Sequence, residues 1–211
     1  MRRVPPPAEP PTFDRQCRQK GAVALTAWRL AGKTGRPRDL WSPFREQLRD
    51  GFEGRCGYTA MLCSGGSVDH FVSIKTNPAL AYEWSNYRFI EEWVNKSKQN
   101  LDGAVLDPFE VHNDWFELLL PSLQLVLTSR VPAKHRARAQ RTIERLHLRD
   151  DERIIRQRAS WLAEYEARRI TLEGLDRYAP LLAAAIRKRD AGRGVRGQRV
   201  ATPGARKRAR S

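Results

Sequence analysis

The sequence predicts an α+β fold, with a small hairpin-and-helix core, N-terminal helices in front of it and a helical region behind it. Three observations carry this expectation. In RCGYTAMLCSGGSVDHFVSI, residues 55–74, a Ser-Gly-Gly turn separates two β-compatible runs and reads as a hairpin. A helical stretch follows around Ile90 to Lys98. In the C-terminal third, apolar residues recur at three- and four-residue spacing, as the buried stripe of a helix does.

Taken in order, residues 1–12 hold five prolines and are expected to be extended and poorly ordered. A helix from Phe13 or Asp14 to about Leu30 follows, with Ala22, Leu25, Trp28 and Ala31 on one face. AGKTGRPRD, residues 31–39, reads as a loop. Its GKT resembles part of a phosphate loop, but Ala27 stands where that motif needs Gly, so a nucleotide site is rejected. Ser42, Pro43 and Glu46 mark a helix start, and Gly51 its end. Residues 78–98 add a short helix or turn and then the Ile90–Lys98 helix. WFELLLPSLQLVLT, residues 115–128, is strand-like on both sides of Pro121, which cannot lie inside a central strand. Ala133 to Leu146 is a basic helix, Asp150 caps the next, and Thr171 caps a third that Pro180 kinks. The expected organisation is a Pro-rich disordered segment 1–12, a core domain 13–125, a helical region 126–190 and a basic disordered tail 191–211.

The 211 residues carry a formal charge of +15. Ten Lys/Arg and one Asp fall between Arg187 and Ser211, so +9 belongs to that end and +6 to the rest. A polyanion is the natural partner, because Lys/Arg contacts release counterions condensed on nucleic acid. No apolar run is long enough to span a bilayer and no secretory signal opens the chain, so no membrane is expected. Three scattered cysteines, Cys17, Cys56 and Cys63, make no disulfide framework and suit the reducing cytoplasm.

The chemistry concentrates in VDHFVSIKTNPALAYEWSNYRFIEEWVNKSK, residues 68–98. Asp69 and His70 are adjacent, Asn86 follows His70 by sixteen residues, and Asn95 opens an N-x-x-K ending at Lys98. Phosphodiester hydrolysis needs a base to deprotonate water and a divalent cation to stabilise the leaving oxygen. His suits the first task near neutral pH, and Asp or Asn oxygens suit a hard cation such as Mg²⁺.

V-D-H-F, then Y-E-W-S-N-Y, then N-x-x-K resembles the HNH endonucleases, over roughly residues 54–108. Within that family it is similar to the nuclease subunits of Septu-like bacterial anti-phage systems, which work beside an ATPase. The resemblance implies a ββα-metal core, a DNA substrate, Mg²⁺ (or Mn²⁺) as cofactor and an ATPase subunit as partner. His70 would be the general base. Asp69 and Asn95 would ligate the metal. Asn86 would hold the connecting loop and orient His70 by hydrogen bonding. Lys98, one turn beyond Asn95, would contact a phosphate. Many relatives also carry two C-x-x-C pairs around a zinc. Here the corresponding positions are Cys56, Thr59, Glu91 and Val94, so no structural zinc is expected, with Tyr58, Phe71, Trp84, Tyr87, Phe89 and Trp93 packing in its place.

On the basic helix, Arg138, Arg141 and Arg145 share one face and are the expected contacts to the DNA backbone. The expected function is metal-dependent DNA hydrolysis, with a role in anti-phage defence. The alternative is a non-catalytic nucleic-acid-binding or assembly subunit that keeps the scaffold.

Overall fold

The computed structural model describes residues 1–198. Within them are seven α-helices and two separate two-stranded antiparallel sheets, an α+β fold. The central unit is β1 (Gly66–His70), a long connection, β2 (Tyr87–Glu91) and α3 (Glu92–Lys98). β1 and β2 pair in antiparallel register, from Gly66 opposite Glu91 to His70 opposite Tyr87. Gly66 is required where it stands, since a Cβ there would lie 2.2 Å from the Phe89 ring. β2 is buried along its whole length. Helices α1 (Gln19–Leu30) and α2 (Arg45–Gly51) precede the unit, and α2 packs on both strands.

Two expectations need correction. The hairpin does not form across Ser64-Gly65-Gly66. Residues 55–62 instead close a tight loop, with one bridge between Arg55 and Leu62 and Cys56 N–H donating to Met61 O at 2.9 Å. Only the second run becomes a strand, and it pairs with residues 87–91, which the helical spacing around Ile90 had hidden. Nor are residues 1–12 disordered. They form an extended strap. Val4 N–H donates to Pro108 O at 3.0 Å, and Trp84 Nε1 donates to Pro7 O at 2.9 Å. Pro7 sits so close to Gly51 that a Cβ there would lie 2.3 Å from it. Proline has little backbone freedom to lose, so a few contacts suffice to order such a segment.

The rest follows the pattern of the sequence closely. β3 (Phe116–Leu119) and β4 (Gln124–Leu127) form a second hairpin, with Pro121 in its turn. α4 (Ala133–Arg145) turns Ala139, Thr142 and Ile143 inward. α5 (Glu152–Glu166) is capped by Asp151, one residue after the expected Asp150. Thr171 caps α6 (Leu172–Tyr178), and the chain breaks at Ala179 before α7 (Pro180–Gln198), so Pro180 starts a new helix rather than kinking one. α7 therefore carries helix into the expected tail as far as Gln198, while residues 199–211 lie outside the described residues. No helix among the described residues is long and apolar enough to cross a membrane.

The helical region is tied to the segments around the central unit and to the second hairpin by hydrogen bonds. Arg158 on α5 is 1% exposed and donates to the carbonyls of Leu123, Leu148 and Arg149. Leu106 N–H donates to Thr142 Oγ1 at 2.8 Å. The peptide groups at Leu62 reach both α6 and α5, with Leu62 N–H donating to Tyr178 O and Gln157 Nε2 donating to Leu62 O.

Candidate active site

His70 ends β1, where the strand gives way to the connection and adjacent side chains are no longer bound to opposite faces of a sheet. Its Nε2 lies 2.9 Å from Ala81 O. A carbonyl oxygen can only accept, so Nε2 carries the hydrogen and Nδ1 is the ring's free acceptor. No hydrogen-bond partner reaches Nδ1 among the described residues. Trp41 and Tyr87 pack edge-on around the ring, with centroids 4.6 and 5.1 Å away. Burial pushes the His70 pKa down to about 4, opposed by the hydrogen bond to Ala81. The ring is therefore neutral at pH 7, the form that accepts a proton.

Asp69 is 4% exposed, and its Oδ1 accepts from Lys98 Nζ at 3.1 Å. Lys98 is 0% exposed and donates also to the carbonyls of His70 and Phe71, each at 3.0 Å. All three ammonium hydrogens are thereby directed at the end of β1. This corrects the expectation for Lys98: sealed in the core, it is not available to a phosphate. Burial pushes the Asp69 carboxyl up, against the pull of Lys98.

Asp69 Oδ2 is buried and has no hydrogen-bond partner among the described residues. A carboxylate oxygen in that condition is costly unless something else completes it. Asn95 lines the same cleft, and its Nδ2 donates to Ser67 Oγ at 3.1 Å, leaving the amide oxygen as the group to offer a ligand. Among the described residues no three His, Cys, Asp or Glu side chains converge on a common metal position. One carboxylate and one carboxamide, completed by water and phosphate oxygens, nevertheless form the kind of oxygen site Mg²⁺ takes. The chemistry of these donors is of the type that ion takes, although Lys98 already occupies Asp69 Oδ1. Asp102 escaped the sequence reading: its Oδ1 accepts from Ser73 N–H at 2.9 Å, its Oδ2 is buried without a partner, and its charge acts on Asp69. No motif marked it.

Asn86 closes the connection between the strands. Its Oδ1 accepts from Val72 N–H at 2.8 Å, and its Nδ2 donates to Val72 O and Leu80 O at 3.0 and 3.1 Å. It thus holds the loop, as expected, but makes no hydrogen bond to His70. Ala81 O orients the ring instead, in company with Tyr87 Oη, which donates to the same carbonyl at 2.8 Å.

His70, Asp69 and Asn95 open onto a cleft of about 790 Å³. The start of the β1–β2 connection, between Ser73 and Pro78, also lines it, as does the loop after α1, including Lys33 and Arg36. No residue of α4 lines it. Arg138 is half-buried, its Nε donating to Val105 O at 2.8 Å. Arg141 and Arg145 are exposed.

Cys56, Thr59 and Glu91 come together. Glu91 N–H donates to Cys56 Sγ at 3.4 Å, Thr59 Oγ1 donates to Glu91 Oε1 at 3.4 Å, and Trp93 Nε1 donates to the other Glu91 oxygen. Of the aromatic residues expected to pack there, Tyr58, Trp84, Tyr87 and Phe89 are buried, while Phe71 and Trp93 are half-buried. No protein-family model matches this chain, and no curated protein is similar to it.

Proposed function

We propose that this chain is a divalent-metal-dependent endonuclease of the HNH type that hydrolyses phosphodiester bonds in DNA. The observation that carries the reading is the fixed tautomer of His70, with Nε2–H spent on Ala81 O and Nδ1 free beside a cleft that Asp69 and Asn95 also line. His70 Nδ1 takes a proton from water as the water oxygen attacks phosphorus, and the P–O bond to the leaving oxygen breaks. The Ala81 carbonyl, accepting from Nε2, steadies the imidazolium that results. Asp69 Oδ2 and the Asn95 amide oxygen would hold a Mg²⁺ or Mn²⁺ ion, which supplies charge stabilisation at the phosphate and the leaving oxygen. The charge of the chain supports a polyanionic substrate. Its place as the nuclease component of a bacterial anti-phage system, beside an ATPase in the cytoplasm, rests on the sequence resemblance. Three buried free thiols accord with a reducing compartment.

A second reading, a non-catalytic nucleic-acid-binding or assembly subunit, is favoured by one observation: Lys98 already occupies Asp69 Oδ1. Cleavage of supercoiled plasmid with Mg²⁺ or Mn²⁺, by wild type and His70→Ala, with and without EDTA, separates the two. Nicking by wild type alone, abolished by EDTA, supports the nuclease. Binding of plasmid with no cleavage under any metal supports the scaffold.

A further inference from the structure

The loop after α1 carries two cations, Lys33 and Arg36, that make no ion pair among the described residues, although both line the cleft facing His70. Lys75, exposed and lining the same cleft, is likewise without an ion pair there. Such charges are normally neutralised or displayed at random over a surface. Here three line one cleft together with His70 and Asp69.

The loop is also held in place. Trp28 Nε1 donates to the carbonyls of Thr34 and Gly35 at 3.1 and 3.3 Å, and Lys33 N–H donates to Trp28 O at 2.9 Å. At its far end Pro37 is buried and Tyr82 Oη donates to Arg38 O at 2.8 Å. The nearby carboxylate, Asp39, accepts from Ser42 and from the Trp41 N–H and makes no ion pair with Lys33 or Arg36 among the described residues. A fixed loop that presents two unpaired cations to a cleft, joined by a third from the β1–β2 connection, fits a chain of phosphates lying along it.

We infer that Lys33, Arg36 and Lys75 form the grip for the backbone of the cleaved strand, binding phosphates on either side of the one that His70 addresses. The inference rests on the nuclease reading for the position of the scissile phosphate, but not for the binding itself. It replaces Lys98 and the α4 arginines as the contacts nearest the chemistry. Because the contacts are to phosphate, they carry no base preference.

The test measures binding without chemistry, in the His70→Ala background and in EDTA, using a fluorescently labelled 20-nucleotide DNA, single-stranded in one arm and duplex in the other. Affinity is followed from 50 to 200 mM salt for Lys33→Gln/Arg36→Gln/Lys75→Gln and for a charge-matched control, Arg156→Gln/Arg169→Gln/Lys188→Gln, whose residues lie outside the cleft. The expected result is at least about a tenfold loss of affinity for the cleft variant and a salt slope shallower by about 2 to 3, with little change in the control. Equal loss in cleft variant and control, or no binding by the parent protein in either arm, overturns the grip. A loss confined to the cleft variant, found in a protein that never cleaves, keeps the grip and sinks the nuclease reading. Metal-dependent cleavage together with an unchanged slope does the reverse.

Discussion

Replacing Lys98 by Met removes the ammonium from its buried partners and leaves the space nearly filled, so the effect is electrostatic rather than one of packing. Lys98 and Asp69 side chains are 0% and 4% exposed, which places the pair beyond solvent screening. Leaving one member of such a pair buried and alone costs about 3 to 5 kcal/mol. The carbonyls of His70 and Phe71 lose their Lys98 donor as well, about 1 kcal/mol each if nothing else reaches them. A total near 5 kcal/mol lowers the melting temperature of a chain this size by about 10 to 20 °C. Urea unfolding of Lys98→Met, Asp69→Leu and the double variant reads the pair directly. The double variant is expected to recover about 3 kcal/mol relative to the sum of the singles, since it leaves no charge stranded. A single-variant loss below about 1 kcal/mol, or strict additivity, would refute the claim that this lysine is a structural counter-ion.

Three further outcomes are expected. Asn86→Ala removes three hydrogen bonds to the backbone of the β1–β2 connection, costs about 3 kcal/mol in urea unfolding, and makes residues 72–80 a preferred site of limited proteolysis. Asp69→Ala weakens Mn²⁺ binding, read by electron paramagnetic resonance of the free ion, in addition to any effect on rate; unchanged Mn²⁺ affinity would remove Asp69 from the metal site. Deleting residues 191–211 weakens DNA binding and flattens its salt dependence without abolishing cleavage at saturating DNA, because most of the chain's excess charge lies in or next to that stretch.

How much of this was legible in the sequence depends on how local the cause is. Caps and breakers act within a few residues, so Thr171 and the Pro121 turn were readable, with Asp151 taking the role of Asp150 and Pro180 starting a helix where a kink was expected. Partner choice between strands is not local. The run 55–62 has the composition of a strand, yet β1 instead pairs with a segment whose spacing also fits a helix. Of Asp69, His70, Asn86 and Asn95, singled out by their order, Asp69, His70 and Asn95 line one cleft. Side-chain direction was not readable: Lys98 lies one helical turn from Asn95 and still points into the core. Nor could spacing show that a loop from residues 31–39, rejected as a nucleotide site, would face His70 from another part of the chain. The strap at residues 1–12 was missed for a related reason, since composition reports entropy and says nothing of a Trp84 indole waiting for the Pro7 carbonyl.

The hydrogen bonds at Leu62 have a bearing on how the chain comes into being. The segment that leads into β1 draws a partner from Gln157, 95 residues later, and another from Tyr178 beyond it. During synthesis at about 5 to 20 residues per second, those partners emerge on the order of 5 to 20 s after Leu62. Until then the approach to β1 lacks its final anchors, and the end of β1 carries His70. A nascent or truncated chain therefore holds the whole Asp69–Lys98 stretch without the frame that sets it. The frame of the Asp69–Lys98 stretch is thus completed only once the chain has been made as far as Tyr178.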